Sequence, residues 1–356
     1  MSKRGIDETL PQAYKIIGKI HGRRLALIKD PAPLVGHIAL GVIDRGTNVI
    51  QVRPSTICPH NCIYCSVDAG PYSKTRTTEF LVDAKHIIKW TRILASIKKT
   101  QVEALIDGVG EPLTHPQILE ITRTIRNDPN VFRVAIETHG GFLSRKLAEK
   151  LDSAGLDRIN LSIDSLDKNK ARMLAGVPWY DVSKILNIID WILENTSIDV
   201  VLTPVVVPGV NEEDMKDLIE YAKSRELGKK SGWPTGVLIQ KYEIHKWGRK
   251  PLGRRQWTWS KFYKWLRSLE EETGYKLRPT MEELGIKPAP KLPILYRLGD
   301  KVRVEILGPG WHKGELLAMD TRRQRLIAVF CENCRPGQLA TVRITRSKDN
   351  IYVARR

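Results

Sequence analysis

The chain has 356 residues, 42% of them hydrophobic and 28% charged, a globular composition that excludes a disordered or fibrous protein. Its formal net charge is +18, and the excess is local: residues 1–240 carry a net +4, residues 241–356 a net +14. Plain solubility would spread the charge, so an excess gathered in the last third points to a polyanionic partner.

The N-terminal MSKRGIDETL has no apolar core of the kind a secretion signal needs. The most apolar run, 200–210, is broken by Thr203, Pro204 and Pro208 and is too short to span a bilayer. A cytoplasmic, monomeric protein with no membrane attachment is expected. Residues 1–37 show no clear pattern. His37–Ile43 and Asn48–Val52, with Asp44-Arg45-Gly46 between them, predict a hairpin. Strand-like runs follow at Val102–Ile106, Val131–Ile136, Arg158–Ile163, Asp199–Val205 and Gly236–Gln240. Helical stretches separate them near 79–99, 115–127, 143–154, 181–195 and 212–225. This alternation predicts a parallel sheet with crossover helices. Counting the strand before Cys58, six βα units predict an α/β fold of partial (β/α)6, TIM-like barrel type, open rather than closed.

Residues 245–293 break the rhythm and are rich in Lys, Arg, Trp and Pro. Ser260–Glu272 reads as a helix with Phe262, Tyr263, Leu266 and Leu269 on one face, and the prolines from Pro279 to Pro293 read as a linker. Five short strands between Lys301 and Ala354 predict a small all-β barrel. Four regions result: 1–47, an N-terminal extension and hairpin start; 48–245, the partial barrel; 246–293, a basic aromatic connector; and 294–356, the β-barrel.

The five cysteines are Cys58, Cys62, Cys65, Cys331 and Cys334, an odd number at short spacings that suits metal better than a disulfide framework. Three thiolates within eight residues cannot complete a tetrahedral zinc site alone. They suit a cubane iron–sulfur cluster, with one iron left open for a ligand. The competing reading is a structural zinc site with a distant fourth ligand.

Cys58-Pro-His-Asn-Cys62-Ile-Tyr-Cys65, a CxxxCxxC pattern with an aromatic before the last cysteine, resembles the radical S-adenosylmethionine (SAM) superfamily over about residues 48–245. The resemblance implies a [4Fe–4S] cluster on Cys58, Cys62 and Cys65, S-adenosyl-L-methionine on the open iron, a 5′-deoxyadenosyl radical, and an electron donor such as a ferredoxin or flavodoxin. It implies that Tyr64 packs near the adenine. Gly108-Val109-Gly110-Glu111-Pro112 is similar to the Gly-Gly-Glu-Pro motif, whose backbone holds the methionyl amino group; Val109 departs from the commonest form. Thr138 and Ser162, near the ends of the third and fourth strands, resemble positions whose hydroxyls bind the SAM carboxylate in the molybdenum-cofactor cyclase group. Gln240 and Lys241 are candidates to face the adenine or the substrate.

Residues 294–356 resemble a TRAM domain, an OB-like barrel, in Gly299-Asp300-Lys301-Val302-Arg303-Val304, Gly314, Arg335-Pro336-Gly337-Gln338 and Val342-Arg343-Ile344. The whole then resembles an archaeal-type radical SAM enzyme with a C-terminal TRAM domain. The TRAM resemblance implies an RNA partner, tRNA in particular. The physics agrees, since residues 294–356 hold 13 basic and 6 acidic side chains. In the connector, Arg249, Lys250, Arg254, Arg255, Trp257 and Trp259 mix cations with stacking surfaces and are the candidate RNA contacts, whereas Phe262, Tyr263 and Trp265 are assigned to the helix core. Cys331-Glu-Asn-Cys334 can be a disulfide, a redox pair, or half of a zinc site completed by His312.

The expected function is radical SAM modification of RNA. Residues 1–47 contain no cysteine, which speaks against thiolation by a second cluster and leaves methylation, rearrangement or carbon insertion. Two competing readings are an enzyme on a protein or small molecule, with the barrel as a lid, and an RNA-binding protein whose cluster only senses redox state or staples the fold. A cluster of the second kind has no need of SAM-contact motifs.

Overall fold

The structure is a computed structural model that describes residues 10–251 and 253–356; the first nine residues of the expected extension, and Leu252, lie outside it. In chain order the strands and helices are β1 (Tyr14–Ile20), β2 (Arg23–Ile28), β3 (Gly41–Asp44), β4 (Val49–Arg53), β5 (Thr78–Val82), α1 (Ala84–Ile97), β6 (Val102–Ile106), α2 (Ile118–Arg126), β7 (Val131–Thr138), α3 (Arg145–Ser153) and β8 (Arg158–Leu161). They continue as α4 (Lys168–Ala175), α5 (Val182–Asn195), β9 (Asp199–Leu202), β10 (Val205–Val206), α6 (Asp214–Ser224), β11 (Gln240–Lys241), α7 (Trp259–Thr273), β12 (Lys301–Pro309), β13 (Glu315–Asp320), β14 (Leu326–Phe330), β15 (Leu339–Arg346) and β16 (Val353–Arg355). The chain forms two compact units. One gathers residues up to 58, 72–132 and 288–356; the other gathers 59–71 and 133–287.

In the first unit the expected hairpin is β3–β4, antiparallel, and β4 continues in parallel pairing to β6. Arg53 and Asp107 join the ends of β4 and β6 by a buried two-point pair, at 3.1 and 3.0 Å. The unpatterned start of the chain is itself a hairpin, β1–β2, turned by His21 and Gly22 in left-handed conformations. Its alternation is hidden because most of β1 is solvent-exposed and a bulge between Ile16 and Gly18 shifts its register.

The helix expected over 79–99 divides. Residues 78–82 are β5, parallel to β2, and the helix begins only after Asp83, whose carboxylate accepts the amide of His86. Four of the five β5 residues are buried, so the segment lacks the alternation that marks a half-exposed strand.

The C-terminal barrel closes in the order β12-β13-β14-β16-β15. Every pairing is antiparallel except β14–β16. Strict alternation on β15 turns Ala340, Val342 and Ile344 inward against Val304, Ile327, Val329 and Tyr352. Cys331 and Cys334 pack beside this core as a disulfide rather than as half of a zinc site.

The barrel is seated on the rest of its unit by backbone. Leu326 donates to Val35 at 2.7 Å and Tyr352 to Gly36 at 2.8 Å. Gly36 has φ +121, and a Cβ there would stand 2.1 Å from the Leu326 carbonyl oxygen. The end of the proline-rich linker is not loose: Ala289 donates to Gly46 at 3.0 Å and Leu292 to the Asp44 carboxylate at 2.8 Å. That carboxylate is also paired with the fully buried Lys98.

In the second unit β7, β8 and β9 run parallel, and residues 236–238 add a further parallel rung through Leu202. With β4 and β6, five of the six expected strands are present; the sixth, expected at Gly236–Gln240, is a single bridge at Val237 followed by the start of β11 at Gln240. The eight-residue α4 was not anticipated; Asp167 caps its start and Gly176 its end. In α7, Phe262, Leu266 and Leu269 are buried as expected, but Tyr263, assigned to the same core, is 52% exposed and Trp265 only half-buried, because the helix turns these two away from its packed face. Trp233 lies under the buried Arg158 guanidinium at 3.8 Å, a core contact.

Two substitutions test this reading by denaturant unfolding. Gly36→Ala forces strained backbone against a carbonyl and is expected to cost about 2 kcal/mol or more. Lys98→Met strands a buried carboxylate and is expected to cost about 3–5 kcal/mol. An effect near zero in either would refute the corresponding contact.

Candidate functional site

Cys58 and the glycine-rich turn lie in the first unit. After β4 the chain runs through Ser55 and Thr56, both fully buried, to Ile57 and Cys58. The turn following β6 crosses this segment at backbone distance. The amide of Glu111 donates to the Ile57 carbonyl at 2.7 Å, and a Cβ on Gly110 would lie 2.5 Å from the Ile57 oxygen and the Thr56 carbonyl carbon. Only glycine permits that approach. The buried Glu111 carboxylate accepts the amide of Leu113 at 3.2 Å, which closes the turn.

A charged network that the sequence does not announce supports this crossing. Glu79 is buried and receives Arg23 at 3.0 Å, Arg76 at 3.0 Å and the Thr56 hydroxyl at 2.6 Å. Arg76 also donates to the carbonyls of Thr56, at 2.8 Å, and Val109. No motif marks Arg76 or Glu79; both read as ordinary surface charges.

Cys62 and Cys65 lie in the second unit. Asn61 and Ile63 donate to the carbonyls at the end of α4, Ala175 and Leu174, at 2.9 and 3.0 Å. The amide of Ala69 points at Cys65 Sγ at 3.2 Å. Burial pushes the Cys62 thiol well up, and the nearby Cys65 and Asp164 push the same way. His139 presents Nε2 to Cys62 Sγ at 3.7 Å, while its Nδ1 faces the Ser162 carbonyl at 3.3 Å. A carbonyl only accepts, so the ring proton sits on Nδ1. His60 stacks among His139, Trp179 and Tyr180, and burial, aided by His139, lowers its pKa to about 2, so it stays neutral.

Several expected residues find specific places. Thr138 is buried, and its hydroxyl accepts the amide of Gly140 at 3.0 Å, shaping the turn that carries His139. Ser162 is half-buried beside that histidine. Tyr64 is not an open ring. It is buried with Cys62, Leu174, Val207 and Tyr242, and its hydroxyl donates to Asp164. Burial raises the Asp164 carboxyl.

Arg249 departs from the surface role expected of it. Its amide donates to Cys65 at 2.8 Å, and its guanidinium reaches the carbonyls of Cys62, at 2.9 Å, and Ala69. Its Nε pairs with Asp68 at 3.0 Å. It is therefore a strap on the cysteine loop rather than a free cation. Lys250, Arg254, Arg255 and Trp259 are exposed, whereas Trp257 is half-buried against Trp265. Gln240 is exposed at β11, and Lys241 is taken up by Glu243 at 3.1 Å.

The donor set fits an iron–sulfur cluster. Three free thiols share one eight-residue stretch, while the other two cysteines are used up in a disulfide. Among the described residues, no three His, Cys, Asp or Glu side chains are grouped as one metal ion would need.

Comparison with known proteins agrees. Residues 52–222 match the profile of the Radical SAM superfamily. The chain is 35% identical over 361 residues to the uncharacterized protein MJ0103 of Methanocaldococcus jannaschii, covering 96% of this chain and 83% of that one. It is 30% identical over 309 residues to the probable GTP 3',8-cyclase of Pyrococcus abyssi, covering 82% of each. Among solved structures it resembles TYW1 with a lysine–pyruvate adduct bound, at TM-score 0.45 and 18% identity over 69% of this chain and 80% of that one. The chain belongs to the radical SAM superfamily, whose members use a [4Fe–4S] cluster and S-adenosylmethionine.

Proposed function

We propose that this protein is a radical SAM enzyme that modifies RNA, a tRNA nucleoside in particular, with its C-terminal barrel acting as a TRAM domain. Cys58, Cys62 and Cys65 are the cluster ligands in this reading. The turn Gly108–Glu111 holds the methionyl amino group, and Thr138 and Ser162 serve the carboxylate end. Bound together, cluster and SAM supply hydrogen-abstracting radical chemistry once an external donor of the ferredoxin or flavodoxin kind delivers an electron. The chain's own contribution is to seat the loop, exclude water around Cys58 and Cys62, and present the substrate.

The observation that carries the RNA assignment is the cationic, aromatic face around α7. Residues 241–267 hold nine Lys or Arg against one carboxylate, Glu243; with Arg249 strapped to the cysteine loop and Lys241 paired with Glu243, seven of them remain exposed. Trp259 and Tyr263 are 54% and 52% exposed and stack at 5.8 Å, with the Lys241 ammonium 4.7 Å from the Trp259 ring. Exposed stacked rings among cations suit bases and phosphates together. The barrel supports the same reading independently. Lys301, Arg343 and Arg355 stand directly opposite one another on adjacent strands β12, β15 and β16. Like charges so placed repel, and a polyanion relieves them.

A second reading is favoured by one observation, the 30% identity to a probable GTP 3',8-cyclase, and takes a free purine nucleotide as substrate. Comparing modified nucleosides of total tRNA by mass spectrometry, with and without the gene, decides between them: loss of one species supports the first, an unchanged set the second.

Two variants test the division of labour. Cys62→Ala is expected to abolish iron binding and 5′-deoxyadenosine release while leaving tRNA affinity within about twofold. The double variant Arg254→Ala/Arg255→Ala is expected to keep its iron, weaken tRNA binding, and reduce the slope of log affinity against log salt by about 2. Anisotropy titrations between low and high salt measure it. A parental slope near zero would overturn the RNA reading.

A further inference from the structure

The side chain of Arg76 is fully buried, at 0% exposure. Burying a guanidinium is costly unless each face and donor is used. Its partners lie on four separate parts of the first unit. It donates to the carbonyl of Thr56, two residues before Cys58, and to the Glu79 carboxylate. It donates to the carbonyl of Val109, at the centre of the glycine-rich turn. Its guanidinium carbon lies 4.6 Å from the ring of Trp311, which belongs to the barrel loop between β12 and β13.

That loop is docked by its backbone as well as by the indole. Thr77 donates to the Trp311 carbonyl at 2.9 Å, and Lys313 donates to Thr75 at 3.0 Å, so it grips both sides of Arg76. The Tyr14 hydroxyl donates to Pro309 at 2.8 Å. Glu315 holds the loop from behind, accepting the Trp311 amide at 3.1 Å and facing His37 at 3.2 Å.

We propose that Arg76 is a positioning residue through which the docked barrel sets the geometry of the Gly108–Glu111 turn, so that the C-terminal domain controls SAM affinity. The peptide unit is planar, so a guanidinium on the Val109 carbonyl also fixes the direction of the Gly110 N–H. The amide of Glu111 is already committed to Ile57. The turn therefore has its peptide planes set from two sides, one of them resting on the barrel. The inference rests on the assignment of this turn to SAM.

The test uses the full chain, anaerobically reconstituted, with iron content, thermal midpoint and SAM dissociation constant measured on each variant. Arg76→Gln is expected to raise the constant by about tenfold with full iron content. Trp311→Leu, which keeps bulk but loses the aromatic face, is expected to raise it by about fivefold, and Trp311→Phe to restore it to within about twofold. In the apoprotein, hydrogen exchange at residues 108–113 should speed up in Arg76→Gln and Trp311→Leu. Unchanged SAM affinity in Arg76→Gln and Trp311→Leu overturns the proposal. So does a loss of affinity that merely tracks lost iron or a lowered midpoint. Gly110→Ala separates the two levels. Normal SAM binding by that variant removes the turn's assignment itself, whereas its loss beside normal binding in Arg76→Gln removes only the brace. If Arg76→Gln does not fold, the Trp311 pair and the exchange measurement carry the decision.

Discussion

One hydrogen bond organises the first unit: the amide of Glu111 on the carbonyl of Ile57, at 2.7 Å, where the chain leaving β4 is crossed by the turn leaving β6. Two backbones meet there with no side chain between them, which Gly110 alone makes possible. The residue after Ile57 is Cys58. The entry to the cysteine loop and the glycine-rich turn are thus one construction, and neither can move without the other.

The charges around this crossing define geometry more than stability. Glu79 is shared between Arg23 and Arg76, Asp107 is gripped by Arg53, and Asp44 is paired with Lys98. For buried pairs, desolvation offsets much of the Coulomb gain. What they contribute is a single arrangement in which every charge has a partner. Apart from Arg76–Glu79, each pair joins segments at least 54 residues apart in sequence.

The second unit treats its part of the loop similarly, with α4 below it and Arg249 across it. Arg249 shows how a composition argument can misplace a residue. It lies within a run of surface cations, and nothing local distinguishes it from Lys250, which is exposed. The difference is a matter of reach, since only the folded loop brings the Cys62 carbonyl within its grasp.

The α/β alternation, the closed five-stranded barrel, the cysteine triplet and the glycine-rich turn were all legible in the residues, because each depends on a short-range pattern. Period-two alternation marks β15, crossover spacing marks the parallel strands, and thiols three or four apart mark a metal loop. Other features were not legible. Strand β5 was hidden because nearly all of it is buried, and β1 because most of it is exposed. Tyr64 read as a ligand contact, yet its hydroxyl is donated to an aspartate a hundred residues away. Amino-acid order alone determined which elements form and which side chains could carry the chemistry. The tertiary structure decided which cations are free and which are buried braces, because that depends on the carbonyls and carboxylates that distant parts of the chain bring within hydrogen-bonding distance.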